Sequence, residues 1–139
     1  MRPKVLITRK IFDEAIAIIK KHFDMEDNQK DVPFSSEELI RRLRGKAGTI
    51  ILLTDRIDEA VLSQCPDLKI VSNIAVGYNN IDVPACTCHK VMVTNTPGVL
   101  DDTTADFTWT LLLATARRLI EADQHLRSSQ WNGWKLMEF

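Results

Sequence analysis

The amino-acid sequence predicts an α/β fold, in which a parallel sheet of about five strands carries helices on both faces. Short apolar runs of strand length alternate along the chain with segments whose apolar residues recur at helical spacing. One such run, Thr49–Leu53, contains only β-branched and leucine residues, as is typical of a strand covered on both faces. Strands that alternate with helices favour a parallel sheet.

The first half of the chain supplies three predicted strands and two predicted helices. The strands are Val5–Ile7, a weaker one at His22–Met25, and Thr49–Leu53. The first helix follows from helical spacing of Phe12, Ala15, Ile16 and Ile19. The second begins at a capping box of Ser35 and Glu38, and Gly45 is placed to end it.

The second half continues the alternation. Asp58 is a candidate cap for a short helix that Pro66 separates from a strand at Leu68–Ser72. Asp82 is a second candidate cap, for a helix over Val83–Lys90, and a fifth strand is predicted at Val91–Thr94. These elements together predict a flavodoxin-like sheet.

The sequence changes character near residue 100. Ala105–Ala116 is apolar on nearly every face, which predicts a long apolar helix that is buried all round. Thr103 and Asp106 have the spacing of a cap and its third helical residue, and Arg117 and Arg118 suit the other end. Because five short strands could hardly bury this helix, we expect it to pack against a second domain, another subunit, or both. The predicted domains are residues 1–100 and 101–139.

Large apolar residues continue to the last position, in a predicted arm that contains Trp131, Trp134, Leu136, Met137 and Phe139. Chain ends are more often polar and frayed. We therefore expect the sequence to be part of a longer protein and the arm to contact a second copy.

Composition and charge exclude several classes of function. The 18 Lys and Arg residues nearly balance the 19 Asp and Glu residues without a basic cluster, so nucleic acid is not an expected partner. Neither a signal peptide nor a run of membrane-spanning length is recognised. The three cysteines lack disulfide or zinc spacing, and Cys86–His89 has no second ligand pair, so we expect a cytoplasmic protein without a metal.

The predicted sheet places a candidate site beyond the carboxyl ends of its strands, where Leu53–Asp55, Ala75–Tyr78 and Thr96–Val99 would converge. Backbone N–H groups around Gly77 could bind an anion, although a plain turn is the competing interpretation. No catalytic triad is recognised. Asp101 and Asp102 are interpreted as helix caps in preference to an acid–base pair. Neither glycine-rich phosphate-binding motif occurs.

Three segments resemble the D-isomer-specific 2-hydroxyacid dehydrogenases, most closely their glyoxylate and hydroxypyruvate reductase branch. They are NIAVGYNNID at Asn73–Asp82, VTNTPGVLDDTTADFTWTLLLATARRLIEAD at Val93–Asp123, and Trp131–Lys135. The resemblance implies a flavodoxin-like substrate domain that is joined by two crossing segments to a Rossmann domain with NAD or NADP. It also implies reduction of small 2-oxo acids and a homodimer.

The resemblance also assigns roles to residues of this chain. The backbone amides of Val76 and Gly77 would bind the carboxylate of the substrate, and Leu53, Thr54 and Ala75 would line the same pocket. Thr104 would contact the nicotinamide side of the cofactor. Trp134, in the arm, would reach toward the active site of the partner.

The resemblance leaves the catalytic residues outside this sequence. The family's Arg, Glu and His, like its glycine-rich cofactor loop, lie beyond the matching stretch, so the chain alone is expected to be inactive. Two alternatives remain, a stand-alone dimerisation or small-ligand-binding module and a receiver-like signalling domain. The latter is disfavoured because Thr8 and Arg9 stand where an acidic cluster is expected after the first strand. The residues do not decide between NAD and NADP.

Overall fold

A computed structural model describes residues 2–134 and 136 of the chain. The chain divides into two compact units, unit 1 (Met1–Pro97) and unit 2 (Gly98–Phe139). Unit 1 contains a sheet with helices, and the described part of unit 2 is helical.

Unit 1 alternates strand and helix along its whole length. Its strands are β1 (Lys4–Ile7), β2 (Asp24–Asp27), β3 (Gly48–Ile51), β4 (Ile70–Asn73) and β5 (Met92–Thr94). Its helices are α1 (Asp13–His22), α2 (Ser36–Leu43), α3 (Glu59–Leu62) and α4 (Val83–Cys88). All strand pairs are parallel, and the order β2-β1-β3-β4-β5 is that of flavodoxin. The predicted five-stranded parallel sheet is therefore confirmed.

Three helices of unit 1 begin at the predicted caps. The Ser35 hydroxyl accepts a hydrogen bond from the Glu38 N–H at 3.2 Å, and the Asp82 carboxylate accepts one from the Ala85 N–H at 2.9 Å. Asp58 caps α3 in the same way. These bonds satisfy N–H groups that lack a partner within the helix. Gly45, just after α2, has a φ of +73°, which explains why glycine ends that helix.

The main core lies on one face of the sheet. Alternation along the strands brings Leu6, Ile51 and Val71 to this face, where α2, α3 and α4 cover them. Ile16 of α1 is buried outside this cluster, and α1 lies next to β2. Helices therefore cover both faces.

Unit 2 contains α5 (Asp101–Ala116) and α6 (Leu119–Arg127), separated at Arg118, which has a left-handed φ of +51°. No residue of α5 is buried by the described residues of this chain, so the predicted burial of this helix against a second domain or subunit stays a prediction. The predicted Thr103 cap is wrong, because Leu100 is the N-cap and Thr103 lies inside the first turn.

The rings of Trp131 and Trp134 in the predicted arm meet edge to face at 6.3 Å between centroids. The arm residues Lys135, Met137 and Phe139 lie outside the described residues. Within the described ranges, no helix has both the length and the apolar character needed to cross a membrane.

Candidate functional site

Two loops leave the same edge of the sheet from neighbouring strands. The β3 loop (residues 52–56) follows Ile51, the β4 loop (residues 74–80) follows Asn73, and these two strand residues are aligned in the β3–β4 pair. The Ile74 N–H extends this pairing by donating to the Ile51 carbonyl at 2.9 Å. Five predicted site residues lie on these loops, namely Leu53, Thr54, Ala75, Val76 and Gly77.

None of the backbone N–H groups of residues 75–80 in the β4 loop donates a hydrogen bond within the described residues, and Val76 and Gly77 are two consecutive members of this group. The Ala75 carbonyl accepts a hydrogen bond from the Thr96 N–H at 2.9 Å, and the Val76 carbonyl accepts one from the Asn95 side-chain amide at 2.8 Å. Within the described part of the chain, the N–H groups of Val76 and Gly77 donate no hydrogen bond. Both residues are exposed, so these amides are available to an anion.

Gly77 is not required by the local conformation. Its φ lies outside the left-handed region, and the nearest neighbour of an added Cβ would be Asn79 Oδ1, at an ordinary contact distance of 3.6 Å. A turn that only glycine can form is therefore not the reason for this residue. The space beside the backbone is open to a ligand.

Buried hydrogen bonds hold the β3 loop against β1. The Thr8 hydroxyl donates to Asp55 Oδ2 at 2.6 Å, and the same oxygen accepts the Leu52 N–H at 3.0 Å. Thr8 and Asp55 are both buried. Asp55 thus closes the turn that carries Leu53 and Thr54.

Two asparagines link the loops to each other. Asn80 donates its side-chain amide to the carbonyls of Asp55 at 2.9 Å and Leu52 at 3.3 Å. Asn73 donates to the Gly77 carbonyl at 2.9 Å and to Asn80 Oδ1 at 3.2 Å. The loop positions are therefore coupled through side chains.

Sequence reasoning assigned no role to the side chains that hold the loops, which are Thr8, Asp55, Asn73, Asn80 and Asn95. A signal was available, since Thr8, Asn73 and Asn95 each follow or end an apolar strand where solvent-facing turns begin. Their partners could not be identified without the fold.

The site offers neutral donors rather than a free cation. Arg56 is the one cationic residue on the two loops, and it is exposed and paired with Asp58 at 3.2 Å. Among the residues that the structure describes, no group of three His, Cys, Asp or Glu side chains could hold a metal ion. An anion would thus be bound here mainly by backbone amides.

The remaining predicted residues belong to unit 2. Thr104 lies in the first turn of α5, and Trp134 is 95% exposed. Of the third predicted segment, Thr96 is bonded to the β4 loop, whereas Gly98 and Val99 also fall in unit 2. The structure therefore brings together the β3 and β4 residues and assigns the others to a different unit.

Similarity to known proteins identifies the family of this chain. Residues 5–130 match the family described as D-isomer specific 2-hydroxyacid dehydrogenase, catalytic domain. The chain belongs to this dehydrogenase family. The resemblance predicted from the three sequence segments is thereby confirmed.

Relatives within the dehydrogenase family are considerably longer than this chain. A glyoxylate reductase of Thermococcus kodakarensis is 50% identical over 131 residues, which cover 94% of this chain and 39% of that protein. A crystal structure of a protein from Thermus thermophilus has a TM-score of 0.85 at 32% identity, over 96% of this chain and 43% of that one.

The NADPH-dependent glyoxylate/hydroxypyruvate reductase of Sinorhizobium meliloti, in complex with NADP and malonate, has a TM-score of 0.72 at 28% identity. The match covers 94% of this chain and 40% of that one. This chain therefore spans about two fifths of the length of the relatives it matches.

Proposed function

We propose that the chain is the substrate-binding part of an NAD(P)-dependent enzyme that reduces small 2-oxo acids, such as glyoxylate and hydroxypyruvate, to D-2-hydroxy acids. The observation that carries this proposal is the pair of exposed, unbonded amides at Val76 and Gly77. Backbone N–H groups form favourable hydrogen bonds to a carboxylate. Relatives named glyoxylate reductase support the substrate class.

In the proposed reaction, this chain orients the substrate. The Val76 and Gly77 amides hold the carboxylate, while Leu53, Thr54 and Ala75 line the pocket. When bound, NAD or NADP supplies the hydride chemistry. Thr104 is proposed to contact the nicotinamide side of that cofactor.

The residues present do not by themselves form a dinucleotide site, because the sequence contains no Gly-x-Gly-x-x-Gly motif. We therefore propose that the cofactor is bound mainly by residues outside this sequence. Purified chain mixed with glyoxylate should not oxidise NADH or NADPH. Measurable oxidation would contradict this part of the proposal.

Unit 2 is proposed to connect and dimerise the protein. In this proposal, residues 1–100 are the substrate domain, and residues 101–139 are a crossing helix and arm that lead to a Rossmann domain. The exposed Phe107, Trp109 and Leu112 of α5 support an association role. Trp134 would reach toward the partner's active site, and the cellular location would be the cytoplasm. Sedimentation should show a homodimer, and a stable monomer at high concentration would contradict this assignment.

The substrate proposal is tested by NMR titration of the chain with oxamate. Oxamate has a carboxylate next to a carbonyl, as a 2-oxo acid does, but does not undergo reduction under these conditions. We expect saturable shifts of the Val76 and Gly77 amides that sulfate at equal ionic strength does not produce. Shifts confined to other surfaces would argue against the site.

The variant Gly77→Ala tests whether oxamate binds next to the Gly77 backbone. Because the φ of Gly77 lies outside the left-handed region and the added methyl group meets only an ordinary contact, the variant should fold with an equal or slightly higher melting temperature. The methyl group should nevertheless obstruct the approach of oxamate to the backbone.

A second candidate function, a stand-alone dimerisation module, is favoured by the exposed apolar side chains of α5. A chain that dimerises but shows no oxamate-dependent shift in unit 1 would support this alternative.

A further inference from the structure

Three consecutive peptide groups of the β4 loop have their carbonyl oxygens held by other parts of unit 1. The Ala75 oxygen is bonded to the Thr96 N–H at 2.9 Å and the Val76 oxygen to the Asn95 amide at 2.8 Å. The Gly77 oxygen is bonded to the Asn73 amide at 2.9 Å. The orientation of each of these three peptide planes is therefore fixed by a hydrogen bond from another residue to its carbonyl oxygen.

These bonds also set the direction of three N–H groups. The structure contains no cis peptide bond in its described residues, and in a trans peptide the N–H points opposite to the carbonyl. The Val76 N–H therefore points away from Thr96, and the Gly77 N–H points away from Asn95. The Tyr78 N–H points away from Asn73, and it donates no hydrogen bond to any described residue.

We propose that Asn95 and Asn73 are positioning residues for carboxylate binding. The Asn95 amide holds the plane that carries the Gly77 N–H, and the Asn73 amide holds the plane that carries the Tyr78 N–H. The Tyr78 amide is then a third donor to the bound carboxylate. This inference rests on the proposed function. Donors that are oriented before binding need no ordering when the ligand arrives, so affinity increases.

The two asparagines differ in their surroundings. Asn95 forms an exposed hydrogen bond, so its removal perturbs one peptide plane. Asn73 is 2% exposed and also donates to Asn80, which holds the β3 loop. Substitution of Asn73 therefore affects both loops. Asn95 is the cleaner position for a test.

The experiment compares Asn95→Ala, which removes the donor without adding charge, with Asn95→Gln, which keeps a side-chain amide. The matched control is Gln64→Ala. Gln64, just after α3, also donates its side-chain amide to a backbone carbonyl on the exposed surface, that of Ala60 at 3.0 Å, and its Oε1 accepts a hydrogen bond from Arg44 at 3.0 Å. Oxamate affinity is measured from amide shifts, and the ¹⁵N order parameter of Gly77 is measured without ligand.

We expect Asn95→Ala to weaken oxamate binding about tenfold, as for the loss of one well-oriented charge-assisted hydrogen bond. The order parameter of Gly77 should fall while the melting temperature stays unchanged. Asn95→Gln should recover most of the affinity, and Gln64→Ala should behave as the parent chain does. A merely structural role of Asn95 would lower the melting temperature and leave the order parameter of the folded state unchanged.

Two results would overturn the inference, and they are distinguishable. If the parent chain binds oxamate and Asn95→Ala binds it equally well with Gly77 equally ordered, the positioning role is excluded while the proposed function stands. If the parent chain binds no oxamate, the proposed function fails and the inference fails with it. Asn73→Ser tests the Tyr78 amide, and if that variant does not fold, the Asn95 variants still decide.

Discussion

Unit 1 and unit 2 both contain apolar stretches, but the apolar side chains of the two units differ in how much of their surface is exposed. Leu6 in β1 has no exposed surface, whereas Leu112 in α5 exposes 53% of its surface. The difference is that unit 1 supplies both a sheet and helices that cover it, while the described part of unit 2 supplies helices that leave every residue of α5 unburied. An apolar helix therefore indicates that a partner surface is needed, but does not show that the same chain provides it.

The largest expected difference between the two units is in the free energy of unfolding that is lost when one leucine in each unit is truncated to alanine. Leu6→Ala leaves a cavity in the core and should lower the free energy of unfolding by about 2–5 kcal/mol. At protein concentrations where the chain is monomeric, Leu112→Ala should change it by no more than about 0.5 kcal/mol, because that side chain is exposed within a single chain. Urea unfolding followed by circular dichroism measures both. Comparable losses would mean that α5 is covered in solution.

The rates at which thiols react with a reagent provide a second measure of the difference between buried and exposed positions. Burial raises the pKa of the Cys65 and Cys86 thiols, whereas Cys88 is exposed. Cys65 and Cys86 should react with a thiol reagent at least about a hundredfold more slowly than Cys88, since the reaction requires opening of the core. At concentrations where the chain is monomeric, Leu112→Cys should add a second fast thiol. A slow thiol at position 112 would show that α5 is protected.

A smaller effect on the free energy of unfolding is expected from the removal of single threonine hydroxyl groups. Thr8→Val removes the buried donor to Asp55 and should destabilise unit 1 by about 1–3 kcal/mol. The Thr110 hydroxyl also donates a hydrogen bond, but to a nearby residue, the Asp106 carbonyl at 2.8 Å, on the exposed surface of α5. Thr110→Val should have an effect within about 0.5 kcal/mol. Chemical denaturation of both variants tests whether burial, rather than the bond itself, determines the cost.

The smallest effect is electrostatic. Hydrogen bonds from Arg41 and then Arg42 lower the pKa of Glu38 from 4.5 to about 2. Its contribution to stability is therefore present above pH 4.5 and is lost as the pH falls toward 2. Glu38→Gln should slightly lower the urea midpoint at neutral pH and leave it unchanged near pH 2. A pH-independent difference would exclude the ion pairs as its cause.

In unit 2, Arg118 likewise lowers the pKa of Glu121. Glu121→Gln should show the same direction of pH dependence when tryptophan fluorescence is followed, because all three tryptophans lie in unit 2. A change in the opposite direction would contradict a stabilising pair at this position.

Most of the fold could be predicted because its signals are local. The caps at Ser35, Asp58 and Asp82 each involve residues no more than three positions away, and apolar periodicity located the strands. The two loops of the candidate site were also predicted, because parallel strands end at one edge. The sequence misplaced the cap of α5 at Thr103, and it could not show which surface covers Ala105–Ala116.

The sequence by itself determined the parallel α/β class, the caps of α2, α3 and α4, and the family. Only the tertiary structure decided which carbonyls of the β4 loop are held, which amides remain unbonded and which apolar residues are covered. The physical reason is the distance along the chain. Thr8 and Asp55 are 47 residues apart, and Asn95 and Val76 are 19 apart. Local propensity carries no information about such pairs, so only folding brings them within hydrogen-bond distance.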